Sequence, residues 1–213
     1  MKIAVLGSGM VGRSLGAGLV RHGHTVVMGT RDPGQERVAT WVGETGTGAA
    51  AATYDEAAKS CDMACLVTSW DGAENALELA GAANLAGKIV VDVTNPLGFG
   101  PAGPHLVIGH TDSAGEQVQR WLPESRVVKT WNTVNHAQMI DPHIPGGPAD
   151  MFLCGDDPDA KSVIVGLLGD CGWPSIDAGG IEAARLLEPL AILWVGYAIS
   201  HGTTDHAFKL LRG

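Results

Sequence analysis

Positive charge is scarce in this chain: 14 lysines and arginines stand against 23 aspartates and glutamates over 213 residues, a formal net charge of -9. Nucleic acid and anionic membrane both need a positive field, so neither is expected as a partner. A small anionic ligand would need a local basic site. Charge of either sign is limited to 17% of residues while hydrophobic residues make up 45%, which excludes disorder and leaves apolar material for a large core. The four cysteines, Cys61, Cys65, Cys154 and Cys171, lack the paired spacing of a zinc site and read as buried thiols of a reducing compartment. His201 and His206 have Asp205 between them but no further clustered ligand, so no metal is expected. A long unbroken apolar run is also missing. The nearest approach, Leu186 to Ile199, is interrupted by Glu188 and Pro189 and reads as too short to span a bilayer, hence as a buried or dimer-forming helix. Met1-Lys2 leads directly into an apolar segment without a cleavage-like stretch, which sets the expectation of a cytoplasmic protein. There is no repeat, low-complexity tract or break in composition. One domain over 1–213 is expected, with 181–213 forming a C-terminal helix and tail used in dimerisation or acceptor binding.

Strand and helix signals alternate along the chain. Lys2 to Leu6 is an apolar run closed by Gly7, a buried parallel strand. Met10 to His22 carries Val11, Leu15, Leu19 and Val20 on one helical face before Gly23, and Thr25 to Met28 is a second strand. Further helices are predicted over Glu36 to Val42, Tyr54 to Ser60, Gly72 to Ala82, Ser113 to Leu122, Asp159 to Leu168 and Ile181 to Ser200. Strands are predicted at Ala49 to Ala52, Met63 to Thr68, Lys88 to Val93, Arg126 to Thr130, Met151 to Cys154 and Ser175 to Asp177. The alternation predicts an α/β, doubly wound, mostly parallel sheet of Rossmann type with a small helical extension. Asn95 to Thr111, dense in glycine and proline, reads as a long functional loop.

Gly7-Ser8-Gly9-Met10-Val11-Gly12 places a G-x-G-x-x-G between a predicted strand and a predicted helix, the context in which that pattern binds a dinucleotide. Gly7 permits the turn, Gly9 lets backbone approach a diphosphate, Gly12 allows helix to pack on strand, and the helix N-terminus holds the negative charge. The second strand ends at Thr30-Arg31, where an acid would select NAD. An arginine that can pair bidentately with a 2′-phosphate favours NADP(H), although Asp32 follows at once.

Together with these motifs, Val91-Asp92-Val93-Thr94-Asn95-Pro96-Leu97, the stretch Val127 to Asn135, Cys154-Gly155-Asp156-Asp157, Asp177-Ala178-Gly179 and the helix from Ala184 resemble the NADPH-dependent reductases of the deazaflavin coenzyme F420. The resemblance covers nearly the whole chain. It implies hydride exchange between NADP(H) and a deazaflavin or flavin-like acceptor, in a homodimer. It also implies that Thr30 and Arg31 bind phosphate, that Thr68, Ser69 and Trp70 line the cofactor, and that Asn95 and Pro96 lie by the nicotinamide, with Asn132 and Thr133 as further candidates facing nicotinamide or acceptor. Gln35 stands where archaeal members carry a lysine, and Asn132 where they carry a histidine.

No catalytic acid–base pair is evident, and direct hydride transfer between stacked rings does not require one. Reduction of a small carbonyl or imine would need a positioned acid, and Lys129 is the one central lysine, equally readable as structural. Relatives with that chemistry usually add a helical domain for which little chain remains. A redox sensor that binds NADPH without turnover is the reading from another class. Trp70 and Trp131 follow predicted strands and read either as an aromatic wall for a ring or as packing, and Asp157 before Pro158 reads as a helix cap.

Overall fold

The computed structural model describes residues 1–212. Its centre is β1 (Lys2–Leu6), whose Ile3, Ala4, Val5 and Leu6 are fully buried because helices cover both faces. The chain continues through α1 (Met10–Arg21), β2 (Thr25–Thr30), α2 (Glu36–Thr45), β3 (Ala49–Thr53), α3 (Tyr54–Ser60), β4 (Met63–Leu66), α4 (Ala73–Ala80), the single turn α5 (Ala82–Leu85) and β5 (Ile89–Asp92). A hairpin, β6 (Leu97–Gly100) and β7 (Gly103–Leu106), precedes α6 (Ala114–Trp121), β8 (Arg126–Lys129), β9 (Met151–Gly155), α7 (Pro158–Asp170), β10 (Ser175–Asp177) and α8 (Ala184–His201).

The main sheet has the order β10-β9-β8-β5-β4-β1-β2-β3. From β3 to β8 every pairing is parallel. Leu15, Leu19, Val38, Trp41 and Ile164 from α1, α2 and α7 pack on one face; Ala57, Leu77, Val118 and Leu187 from α3, α4, α6 and α8 pack on the other. The chain leaves β1 toward the first face and β4 toward the second, so the carboxyl ends of these neighbouring strands flank the switch point where open α/β sheets bind ligands. The doubly wound, mostly parallel sheet expected from the alternation is therefore present.

Local chemistry sets the helix starts. Thr53 and Glu56 form a capping box on α3, and Ser113 caps α6. Asp157 caps α7 by accepting the Ala160 N–H at 2.7 Å, with Pro158 in the first turn, so that acid serves the helix as expected. All four cysteines are buried and free, and burial pushes the Cys154 and Cys171 thiols up to about 12, which leaves them inert.

Two expectations need correction, and one strand runs against the parallel majority. The stretch 95–111 is not a structureless loop: Leu97 to Leu106 forms the antiparallel β6–β7 hairpin, with Leu97 opposite Leu106 and Phe99 opposite Pro104, and the hairpin packs against α8. Its glycines and Pro104 hide an alternating pattern only four residues long on each strand. That strand is β9, which runs antiparallel to β8, pairing Val128 with Gly155 and Lys129 with Cys154. The connection from 130 to 150 holds one 3-10 turn (His136–Gln138) and no crossover helix, which a parallel return would need. The second correction is that the helical stretch Ile181–His201 spans 21 residues and is long and apolar enough, by length and composition, to cross a membrane. In this fold its first half is docked instead, with Ala184, Leu187, Glu188 and Ala191 buried.

Candidate functional site

The chain turns sharply after β1. Gly7 has φ 132°, a conformation that disfavours any side chain. A Cβ on Gly12 would stand 2.0 Å from the Gly7 carbonyl oxygen, so helix and turn meet through glycine alone. Gly9 is unlike both. A Cβ there would meet nothing within 4 Å, no side chain caps α1, and its first turn holds no acid. The first-turn N–H groups around Met10 and Val11, with the positive end of the helix dipole, thus face an open approach fit for a diphosphate.

Beside the turn is a cavity of about 280 Å³ whose lining includes Ser8, Thr30, Arg31, Arg37, Thr68 and Ser69. β2 places Thr30, buried, at its last position, and Arg31 follows as the first exposed residue. The Ser8 and Thr30 hydroxyls lie 3.3 Å apart, and Arg37 of α2 donates to Ser8 Oγ at 3.5 Å. Thr68 Oγ1 is buried without a partner. Tyr54 closes one wall; burial raises its phenol pKa while Arg31 opposes the rise. Asp32 also lines the cavity, but its carboxylate accepts the Gly34 N–H at 3.0 Å and closes its own loop. Hydroxyls and guanidinium groups around one cavity form a donor set for a phosphate monoester. A wider groove of about 740 Å³ between α1 and α2 adjoins this cavity at Arg37.

Farther along the edge, the ends of β5 and β8 bring the two asparagine segments together. Asn95 Nδ2 donates to the Asn132 carbonyl at 2.7 Å, and Asn132 Nδ2 donates to Asn95 Oδ1 at 3.0 Å and to the Leu187 carbonyl of α8 at 2.9 Å. The Asn132 Oδ1 is buried and has no partner. Pro96 and Thr133 are buried beside them. The residue before Asn132, Trp131, is held at φ 58°, a strain of about 1–3 kcal/mol that tight surroundings must impose. Its indole N–H donates to the Met139 carbonyl at 3.1 Å, and that of Trp173 reaches the same oxygen at 2.9 Å.

Beneath the asparagines lies a buried ionic group. Lys129 Nζ reaches Asp92 Oδ2 at 2.7 Å, the Thr94 carbonyl at 2.8 Å and Glu188 Oε1 at 3.1 Å, with all three charged side chains essentially free of solvent. Glu188 also accepts the Ala114 and Gly115 N–H groups at the start of α6, both at 3.1 Å. Burial pulls the Lys129 ammonium down, but the two carboxylates outweigh it and its pKa ends above the ordinary lysine value. Burial raises Glu188 above the usual carboxylate range, against Lys129 and the two N–H donors. Enclosed in this way, Lys129 ties strands to helices and presents no proton to a ligand.

The two aromatic candidates are packed differently. Trp131 is fully buried, and Trp70, expected to line the cofactor, stacks on Trp121 of α6 with centroids 5.4 Å apart while its neighbours Thr68 and Ser69 face the cavity. Sequence reasoning missed Arg37 and the partners of Lys129. Val38 and Trp41 mark the buried face of α2, and the arginine next to Val38 was the available signal for the first. The second depends on long-range contacts that no local pattern carries.

The geometry has close counterparts. The profile of the family described as NADP oxidoreductase coenzyme F420-dependent matches residues 2–96. A crystal structure from Arthrobacter sp. FB24, provisionally assigned as an F420-dependent NADP reductase, is 40% identical, superposes with a TM-score of 0.93, and is covered over 100% of both chains. The chain belongs to the coenzyme F420-dependent NADP oxidoreductase family. Another relative, the F420-dependent NADP reductase of Methanocaldococcus jannaschii, is 33% identical over 129 residues, 59% of this chain and 57% of that protein. Rat metalloreductase STEAP3 is 31% identical over 195 residues, 90% of this chain but 37% of that protein. The chain thus spans less than two thirds of either of these two proteins.

Proposed function

We propose that this protein is an NADPH-dependent oxidoreductase that exchanges hydride between NADP(H) and a deazaflavin of the F420 type or a flavin-like acceptor. The observation that carries the reading is the buried, unpartnered Oδ1 of Asn132 at the same sheet edge as the phosphate-binding turn. An orphaned acceptor in a polar, nearly closed place fits an amide N–H donor such as a nicotinamide carboxamide or the ring N–H of a deazaflavin. In this reading Gly7 to Gly12 hold the diphosphate, Thr30 and Arg31 the 2′-phosphate, Thr68 and Ser69 the intervening ribose, and Asn95, Pro96, Asn132 and Thr133 the ring. Bound NADPH supplies the hydride donor. The chain's own part is to bind and orient: the Asn95 side chain and the Leu187 carbonyl hold the Asn132 amide N–H groups, which leaves its oxygen free to accept from the ligand. Neither asparagine titrates, and Lys129 is sealed from the site, so an acceptor that needs no protein acid in the same step suits it better than a ketone does. The family to which the chain belongs supports the F420 class of acceptor.

We further read the molecule as one dinucleotide-binding domain, cytoplasmic and homodimeric, with α8 at the dimer contact and neither membrane nor nucleic acid as partner. Its acidic charge and buried free thiols support this, as do Leu186, Leu193 and Ile199, exposed on α8. An anaerobic screen of NADPH oxidation against F420, free flavins, quinones and small imines tests the function. Turnover with F420 is expected; turnover confined to imines, or none with any acceptor despite tight binding, contradicts it.

A further inference from the structure

Several cations in this acidic chain have carboxylate partners, as Arg21, Arg120, Lys129, Lys161 and Arg185 do. Arg31 and Arg37 are among those that have no carboxylate partner among the described residues, and these two line the 280 Å³ cavity at the end of β2. Arg31 arrives there from the strand. Arg37 arrives from the first turn of α2, where its neighbour Val38 is buried in the core and fixes the helix on the sheet. Its Nη2 lies 3.5 Å from Ser8 Oγ, at the outer limit of a hydrogen bond. Ser8 itself is buried, and its hydroxyl lies 3.3 Å from that of the buried Thr30. The guanidinium is therefore steered to the cavity by a weak contact that leaves most of its five donors unused. A phosphate monoester carries close to two negative charges and three acceptor oxygens, more than one exposed arginine can neutralise or saturate.

We propose that Arg37 is a specificity-determining residue: it closes a two-arginine clamp with Arg31 on the 2′-phosphate of the cofactor, with Thr30 and Ser8 as hydroxyl donors. Discrimination between NADP(H) and NAD(H) is then divided between a strand-end arginine and a helix arginine. The inference rests on the dinucleotide reading above and adds to it a residue and a division of labour.

The test is calorimetric titration of the wild type, Arg31→Ala, Arg37→Ala, Arg37→Lys and the double alanine variant with NADPH, NADH, 2′,5′-ADP and 5′-AMP. Arg37 is exposed, so the variants are expected to fold, and circular dichroism verifies it. Arg37→Ala should weaken NADPH and 2′,5′-ADP by about tenfold or more, the scale of one charge-assisted hydrogen bond, and leave NADH and 5′-AMP unchanged. Arg37→Lys should recover part of the loss, because it restores the charge without the fork. The double variant should bind NADPH no better than NADH. Unchanged affinity of Arg37→Ala for 2′,5′-ADP would overturn the clamp while leaving the dinucleotide reading intact, and so would an equal loss for NADH. A wild type that binds none of the four nucleotides would overturn the dinucleotide reading itself.

Discussion

Gly9 and Gly12 stand three residues apart and answer different demands. Gly12 has a carbonyl oxygen 2.0 Å from where its Cβ would be, whereas Gly9 has no atom within 4 Å. Gly12→Ala should therefore act on the fold, destabilising it by roughly 1–3 kcal/mol as overpacking does, and should lower the melting temperature. Gly9→Ala should leave the melting temperature unchanged and weaken NADPH by about tenfold or more, because its methyl group takes the place of the approaching diphosphate. Thermal melts paired with titrations separate the two, and a Gly9 variant that binds like wild type would remove the diphosphate from this turn. Arg31→Ala should weaken NADPH by about tenfold or more through loss of a charge-assisted bond, with little change for NADH. Much at this scale was legible in the primary structure, since Gly7, Gly12, Thr30 and Arg31 lie where local spacing places them. The stacking of Trp70 on Trp121 was not, because it joins residues 51 apart in the chain that only the folded packing of α6 brings together.

At the scale of elements, Lys129 joins β5, β8 and α8, and through Glu188 the start of α6. Lys129→Met leaves two buried carboxylates with no cation, a change of about 3–5 kcal/mol in lost stability at neutral pH. Its pH dependence has a definite sign. Glu188 already has a raised pKa in the folded protein, so the folded state binds its proton more tightly than the unfolded state. Stability from this group is fully present below the ordinary carboxylate range and is lost as pH rises through the raised value. Removing the ammonium raises Glu188 further, so the deficit of Lys129→Met should shrink as pH falls from 7 to 5. Urea melts at the two values check it; a deficit independent of pH would mean that the carboxylates are not buried against each other. The strand and helix order was readable from alternation, and the α7 cap from Asp157-Pro158. The β6–β7 hairpin was not, because glycine and proline mask short strands, nor was the direction of β9, which follows from a connection without a helix.

For the whole molecule, Leu186, Leu193 and Tyr197 leave an apolar strip on α8, and Phe99 is 68% exposed on the hairpin that packs beside that helix. A surface of this kind is expected to be covered by a second copy. Light scattering at micromolar protein should give the mass of a dimer, and Leu193→Glu should shift it toward the monomer while NADPH binding persists. A monomeric wild type would contradict this. The central claim is the passage of hydride between two bound rings at the edge formed by β1, β5 and β8. Rapid mixing of the protein with NADPH deuterated at the transferable position, together with oxidised F420, measures it directly: the account predicts deuterium in the reduced F420, and tight NADPH binding with no label reaching F420 would contradict it.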